Sequence, residues 1–136
     1  LAGFGRATTY GAETADTTGI QVDPGATANT KGAYSEITAS TTNPIRWLMF
    51  IQGNQANAMM TTAQWRFDVA VGAAASEQII ISDILVQATT GDDDTTPRVI
   101  GFPMVIPSGT RLAVRSQCLI TDATDRLLDV QLIGVD

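Results

Sequence analysis

The chain has 136 residues, the length of one domain, and its 14 acidic residues against 8 basic residues give a net charge of −6. This acidic balance argues against binding to a nucleic-acid backbone, which depends on clustered lysine and arginine. A single cysteine excludes an intrachain disulfide and a cysteine-based zinc site, and the lack of histidine removes the usual general base of catalysis.

Residues 1–31 differ in composition from the rest of the chain. They are rich in Gly, Ala and Thr, contain few large apolar residues and show no sustained periodicity. We therefore predict an extended N-terminal arm over residues 1–31 and a main domain over residues 32–136. One short strand is expected at Ile20–Val22, before the Asp23-Pro24-Gly25 turn. Because an isolated arm of this composition is disordered, we expect any order in it to come from outside the main core.

From Gly32 onward the pattern predicts one strand after another. The predicted strands are Ala33–Ala39, Ile45–Gly53, Gln64–Gly72, Ser76–Ala88, Arg98–Ile106, Thr110–Ile120 and Arg126–Val135. The Ser76–Ala88 segment is expected as one strand or as two short strands bent at Ser82-Asp83. The clearest alternation is QWRFDVAVG, in which Trp65 and Phe67 share one face. In contrast, IRWLMFIQG is apolar on both faces, which is typical of a central strand.

Two prolines predict an edge and a turn. Pro103 has no N–H to donate, so its strand is expected to lie at a sheet edge or to break there. Pro107-Ser108-Gly109-Thr110 predicts a tight turn, because Pro presets φ and Gly tolerates a positive φ. Strands with this spacing indicate a sandwich or barrel of seven or eight strands with little helix. The weak helix candidates are NQANAMMTTAQWRF and VGAAASEQIII.

The acidic residues suggest no catalytic pair, because most of them lie in turns and at strand ends. Asp68, on the polar face of its strand beside Arg66, is interpreted as an exposed partner of an arginine. The run Asp92–Asp94 lacks the alternating ligand spacing of a calcium loop, so we interpret it as a solvated hairpin tip. Cys118 lies in an apolar strand and is predicted to be a buried core residue. We therefore predict no enzyme activity, no cofactor, no metal site and no membrane span.

Aromatic residues bear on the possibility of a sugar-binding surface. Sandwich proteins bind sugars through exposed aromatic rings flanked by polar groups. Trp47 and Trp65 lie among other large apolar residues, so both are predicted to be in the core. Tyr34 and Tyr10 are better candidates for exposure, although two scattered tyrosines do not define a site. Glycan binding is kept as an alternative to a purely structural role.

Two motifs in the chain resemble small β-sandwich virion proteins of tailed bacteriophages. In those proteins a strand and turn of the form DVxVGxxGSE precedes a turn and strand of the form IPxGTRIAxRxQ. Here DVAVGAAASE matches the first form, with Ala75 where a glycine is common, and IPSGTRLAVRSQ matches the second. The similarity covers about Gly32 to Gly134. It implies an all-β fold, an antiparallel jelly-roll-like β-sandwich of seven to eight strands.

The resemblance also implies a virion component, either a capsid decoration or cement protein or a head- or tail-fibre module. A short domain with a small-residue arm favours a cement protein on the head surface that contacts the major capsid protein or other virion proteins. We expect a homo-oligomer, with a trimer favoured. The candidate interface residues are Phe4, Arg6, Tyr10, Arg111 and Arg115. The alternatives are a fibre domain that binds a host surface glycan and a tail or adaptor structural protein.

Overall fold

The computed structural model of the chain describes residues 5–12, 19–53, 63–88, 98–120 and 127–136. Those residues form nine strands and no helix, so none of them belongs to a helix long and apolar enough to cross a bilayer. In chain order the strands are β1 (Ala7–Tyr10), β2 (Ile20–Val22), β3 (Ser35–Thr38), β4 (Ile45–Gly53), β5 (Ala63–Val71), β6 (Gln78–Ala88), β7 (Arg98–Ile106), β8 (Leu112–Cys118) and β9 (Leu128–Val135).

The strands form two antiparallel sheets. The order in the first sheet is β1-β9-β4-β7, and β2 also pairs with β9. The order in the second sheet is β3-β8-β5-β6. The predicted all-β fold is confirmed as a β-sandwich, although nine strands form where seven or eight were predicted. The strand that the sequence did not indicate is β1, whose residues ATTY include a single large side chain.

The core lies between the two sheets and is built by alternation along their central strands. In β5, Trp65 and Phe67 are fully buried, and in β4 Leu48 and Phe50 are fully buried. The rings of Phe50 and Phe67 lie 5.2 Å apart with an interplanar angle of 52°, so the two sheets meet through a tilted aromatic pair. The predicted burial of Trp65 and Cys118 is confirmed.

The strand bounds follow the sequence pattern closely in the centre of the chain. Both β4 and β7 have the predicted bounds, and β5 differs from its predicted segment by one residue at each end. The segment predicted as one or two strands is a single strand, β6, whose register with β5 shifts between Phe67 and Val69. Asp83 in β6 has a φ of 56°. The predicted bend at Ser82-Asp83 is therefore an irregularity within one continuous strand.

The predicted edge strand and turn are both confirmed. Within the described part of the chain, β7 pairs with β4 alone and forms an edge of the first sheet, as Pro103 requires. In the turn before β8, Gly109 has a φ of 78°, a conformation that glycine adopts without strain. The Thr110 hydroxyl donates to the Pro107 carbonyl at 2.7 Å and closes the turn.

Neither weak helix candidate forms a helix in the described residues. The first overlaps β5 from Ala63 onward, and its preceding residues lie outside the described part of the chain. The second contains a turn in which the N–H of Ser76 donates to the carbonyl of Ala73 at 3.0 Å. In this turn Ala75 has a φ of 65°. The position at which the resembling proteins carry glycine thus has a backbone conformation that favours glycine.

The described parts of the predicted N-terminal arm are held by the chain's own sheet. Strand β1 pairs with the C-terminal part of β9, and β2 pairs with its N-terminal part. Tyr10 and Val22 are buried in the core. The expectation that something outside the main core orders this segment is therefore wrong for the described residues. The domain division at residue 31 stays a prediction.

Candidate docking surface

The outer surface of the first sheet is lined by apolar residues on three neighbouring strands. Along β4, residues 48 and 50 point inward, so Trp47, Met49 and Ile51 lie on the outer side. Their partners on β7 and β9 lie on the same side of the sheet and are mostly apolar. We call the following set the apolar outer face, with Val105 assigned to it by alternation along β7: Trp47, Met49, Ile51, Val99, Gly101, Pro103, Val105, Ile133 and Val135.

The register arranges this face in rows across the strands. Trp47 lies between Pro103 and Val135. In the next row Met49 lies between Gly101 and Ile133. The third row places Ile51 between Val99 and Gln131, where polar side chains begin.

Trp47 is the largest residue on the face, and Gly101 makes room for its ring. A Cβ placed on Gly101 would lie 2.8 Å from Cε2 of the indole and would overlap its Nε1. The indole therefore lies over the backbone of β7 and remains 43% exposed. The prediction that Trp47 is in the core is wrong, because β4 is apolar on both faces and the sequence does not show which side turns inward.

The face leaves large apolar side chains in contact with solvent. Val99 is 57% exposed and Val105 is 77% exposed. Within its three rows, no described residue is acidic. Contiguous exposed apolar surface of this kind marks an interaction site more often than chance. The outer face of the first sheet is therefore the candidate docking surface.

The outer side of the second sheet is organised differently, by ion pairs. Arg111 donates from Nε to Glu36 at 2.6 Å and from Nη1 to Glu77 at 3.0 Å, and it also reaches the Gly72 carbonyl at 3.1 Å. The hydrogen bond to Glu36 raises the pKa of Arg111. The pKa of Glu77 is lowered by a hydrogen bond from its own backbone and by Arg111. These contacts join three segments of one chain. They use the Nε and Nη1 donors of Arg111, which was predicted to anchor an interface.

A second ion cluster surrounds Asp68, whose carboxylate is almost fully buried. It accepts hydrogen bonds from Lys31 Nζ at 2.8 Å, Arg115 Nε at 2.9 Å and the N–H of Asp83 at 3.0 Å. Burial by itself raises the pKa of Asp68, but these hydrogen bonds outweigh it and lower the pKa below its ordinary value. The predicted pairing with an arginine is confirmed, and the predicted exposure of Asp68 is wrong.

Arg115 also contacts the ring of Tyr34, with its guanidinium carbon 4.8 Å from the ring centroid. Partial burial raises the pKa of Tyr34, although the charge of Arg115 opposes this rise. The side chain of Tyr34 is thus engaged by a neighbouring strand. Arg115, like Arg111, is paired with acidic side chains of its own chain.

The remaining candidate interface residues are in the N-terminal segment. Arg6 pairs with Asp136 through its backbone N–H and its guanidinium, and it donates to Asn43 at 2.9 Å. Tyr10 is buried, which contradicts its predicted exposure, and its hydroxyl accepts the N–H of Thr42 at 3.2 Å. Phe4 lies outside the described residues. Whether any of the five predicted anchors also contacts a partner stays a prediction.

Other potential sites in the described residues are sparse. No cluster of three metal-ligating side chains occurs among them, and Asp92–Asp94 lies outside the described part of the chain. A shallow depression on the second sheet is lined by Asn29, Gln64, Arg66, Gln117 and Leu119. It offers amide and guanidinium groups for hydrogen bonds but no aromatic ring on which a sugar would stack.

Comparisons of the chain with family models, curated proteins and solved structures gave no match.

The apolar outer face was missed in the sequence although a signal for it was present. In β4 every residue from Trp47 to Ile51 is apolar, and in β7 both alternating sets of residues are apolar after Arg98. When both faces of a strand are apolar, one face packs in the core. The position of the second apolar face then has to be explained separately. We interpreted both faces as buried, whereas the sandwich buries only one of them.

Proposed function

We propose that the chain is a structural component of a bacteriophage virion, a capsid decoration or cement protein that stabilises the head shell. The observation that carries the proposal is the apolar outer face, on which Trp47, Val99 and Val105 are exposed. Removing such surface from water contributes about 25 cal/mol per Å². Many copies joined through a weak contact of this type would reinforce a shell by their number.

The order of the strands supports the jelly-roll part of the proposal. The first and last strands, β1 and β9, are neighbours in one sheet, and β3 and β8 are neighbours in the other. This nesting of early and late strands is typical of the double-sheet jelly rolls found in viral capsid domains. The motif resemblance supports a tailed phage as the source of the particle and fits a component of either the head or the tail.

The partners proposed are the major capsid protein or other virion proteins, in a homo-oligomer with a trimer favoured. The test is to image intact particles of the phage that encodes the chain, carrying the wild type or a variant, by immunogold electron microscopy with an antibody against the chain. We expect label over the head surface, with less label for the face variant Val105→Asp than for the control Leu85→Asp. Label confined to the tail would favour a fibre, tail or adaptor protein, and unlabelled particles would overturn a virion role.

A glycan-binding fibre domain is the second candidate, and Trp47 is the observation that favours it. Its indole is partly exposed over Gly101 on an open surface, an arrangement on which a sugar ring can stack. A glycan array would test this function. Binding that is lost in Trp47→Ala but retained in Leu85→Ala would support the fibre function, whereas an array without signal would remove it.

A further inference from the structure

We propose that the shallow depression on the outer side of the second sheet binds a carboxylate that also carries hydroxyl groups, such as an acidic sugar or an open-chain hydroxy acid. The carboxylate pairs with the guanidinium of Arg66, and the hydroxyl groups bond to the amides of Asn29, Gln64 and Gln117. This site belongs to the sheet that does not carry the apolar outer face, and it goes beyond the proposed shell contact.

Backbone hydrogen bonds fix the segments that line the depression. Arg66 of β5 lies directly opposite Gln117 of β8, and Gln64 is on the same side of β5 two residues earlier. The N–H of Leu119 donates to the Gln64 carbonyl at 3.0 Å, and the N–H of Asn29 donates to the carbonyl of the last residue of β8 at 2.8 Å. The backbone of the lining is therefore in place before a ligand binds, which lowers the cost of binding.

Arg66 differs from the other cationic side chains described on this side of the second sheet. Lys31, Arg111 and Arg115 each have a nitrogen within 3.0 Å of a carboxylate oxygen. Asp68, two residues along β5 from Arg66, is already paired at both carboxylate oxygens, with Lys31 and with Arg115. Within the described part of the chain, the guanidinium of Arg66 takes part in no ion pair or hydrogen bond. It is therefore available to an external anion.

The charges in the lining select a single carboxylate. The described lining residues include one cation and no acid, and the cross-strand neighbours of Arg66, Leu85 and Gln117, are uncharged. A guanidinium binds a carboxylate through two parallel hydrogen bonds. Nucleic acid and other polyanions are disfavoured, because one positive charge would face many negative charges and the whole chain carries −6.

The amides of the lining favour a ligand with hydroxyl groups over a bare carboxylate. Each amide has N–H donors and a carbonyl acceptor, and a hydroxyl group both donates and accepts. A bare carboxylate only accepts and would leave the amide carbonyls unused. An acidic peptide suits the site less well, because protein contacts are centred on apolar or aromatic groups. Among the described lining residues, Leu119 is the single apolar one.

The volume of the depression, about 80 Å³, limits what enters it. Pockets that enclose a drug-sized ligand have about 300–1,000 Å³. The depression is therefore filled by the carboxylate-bearing end of a ligand, and the remainder of the ligand stays in solvent. Binding of this kind is weak and falls as salt is added, because solvent and ions screen the pair.

The test is a titration of the ¹⁵N-labelled full chain with sodium glucuronate, followed by NMR at constant ionic strength. We expect shifts that saturate and are centred on the backbone amides of β5 and β8 around Arg66 and Gln117. Sodium gluconate is the open-chain arm, and the tighter of the two ligands shows whether the source is a sugar ring or an open-chain acid. Acetate lacks the hydroxyl groups and glucose lacks the carboxylate, so each should bind about tenfold more weakly or worse.

Variants locate the binding. Arg66→Gln should weaken glucuronate binding by about tenfold or more without loss of folding, since Arg66 is exposed. The matched control is Arg46→Gln, because Arg46 is also exposed but belongs to the first sheet, and it should bind like the wild type. Gln117→Ala should reduce the preference for glucuronate over acetate. Trp47→Ala should leave the binding unchanged, which separates this site from the glycan contact considered for that indole.

A titration without saturable shifts, for glucuronate and gluconate alike, would overturn the inference. So would acetate that binds as tightly as glucuronate, or an Arg66→Gln variant that binds no more weakly than Arg46→Gln does. Tighter binding of N-acetylglutamate N-methylamide, which presents a carboxylate between peptide groups, would overturn it in favour of an acidic peptide. The proposed function is tested separately by the labelling of particles. A chain that binds glucuronate but is absent from particles keeps this site and loses the virion role.

Discussion

The Nζ atom of Lys31 donates to Oδ1 of Asp68 at 2.8 Å and thereby ties the segment before β3 to the centre of β5. The same carboxylate is held by Arg115 of β8 and by the backbone of β6. One acidic residue thus joins three strands and a connection on the outer side of the second sheet. Side chains that would otherwise be free to meet a partner are used to fix the sandwich.

Asp68→Asn is expected to lower the free energy of unfolding by about 2 kcal/mol at pH 7, because it leaves the partly buried Lys31 and Arg115 without their carboxylate. The folded-state pKa of Asp68 lies below its unfolded value of about 3.9. Its contribution is therefore complete above about pH 5 and is lost as the pH falls through the folded pKa. Urea unfolding between about pH 3 and pH 7 should show a steeper acid loss for the wild type than for Asp68→Asn. Equal acid slopes would contradict the prediction.

The control for this experiment is Asp83→Asn. Asp83 also pairs with Lys31, at 3.0 Å, but its side chain is half exposed. Solvent screens such a pair, so the loss of stability should be well under that of Asp68→Asn.

Ala75→Gly is expected to stabilise the protein by about 1 kcal/mol, since glycine adopts a positive φ without the steric cost of a Cβ. Ala75 has a φ of 65° in the turn after β5. The matched control is Ala73→Gly in the same turn, where φ is not positive. There glycine relieves no strain, and the larger conformational entropy that it gives the unfolded chain should lower the stability. Thermal unfolding of both variants checks the prediction, which fails if the two substitutions shift the midpoint in the same direction.

Gly101→Ala is expected to displace the indole of Trp47, because the new Cβ would overlap the ring. The cost should be about 1–2 kcal/mol, and the acrylamide-accessible emission should increase. The control is the same substitution in a Trp47→Ala background, where the clash is absent and the cost should largely disappear. A cost that is unchanged in that background would show that Gly101 is constrained by something other than Trp47.

Tyr10→Ala is expected to destabilise the whole sandwich by about 3–5 kcal/mol, although Tyr10 belongs to the segment predicted as an arm. The ring is buried and its hydroxyl accepts the N–H of Thr42. Tyr10→Phe should cost about 1 kcal/mol, since it removes only that acceptor. Thr9→Ala is the control, because Thr9 is exposed on the same strand. Urea unfolding that is unchanged by Tyr10→Ala would mean that β1 does not contribute to the domain.

The central strands could be predicted because their signals are local. Alternation fixes the inward side of β5, and Pro103 fixes the edge position of β7. β1 could not be predicted, because ATTY becomes a strand only by pairing with β9, which lies more than a hundred residues away in the sequence. The roles of Arg111 and Arg115 depend in the same way on acids from other segments. An arginine on a strand surface looks the same in sequence whether it serves a neighbouring strand or a partner protein.

The sequence alone determined that the described residues form β-strands, where the main strands lie to within about two residues, and which residues turn the chain, because periodicity and backbone restrictions act over a few residues. Only the tertiary structure decided which apolar side of β4 remains in solvent and which charges neutralise one another. Those outcomes depend on how two sheets face each other and on pairings between distant segments. The apolar outer face is a consequence of that arrangement, since a strand that is apolar on both sides has only one side covered by the second sheet.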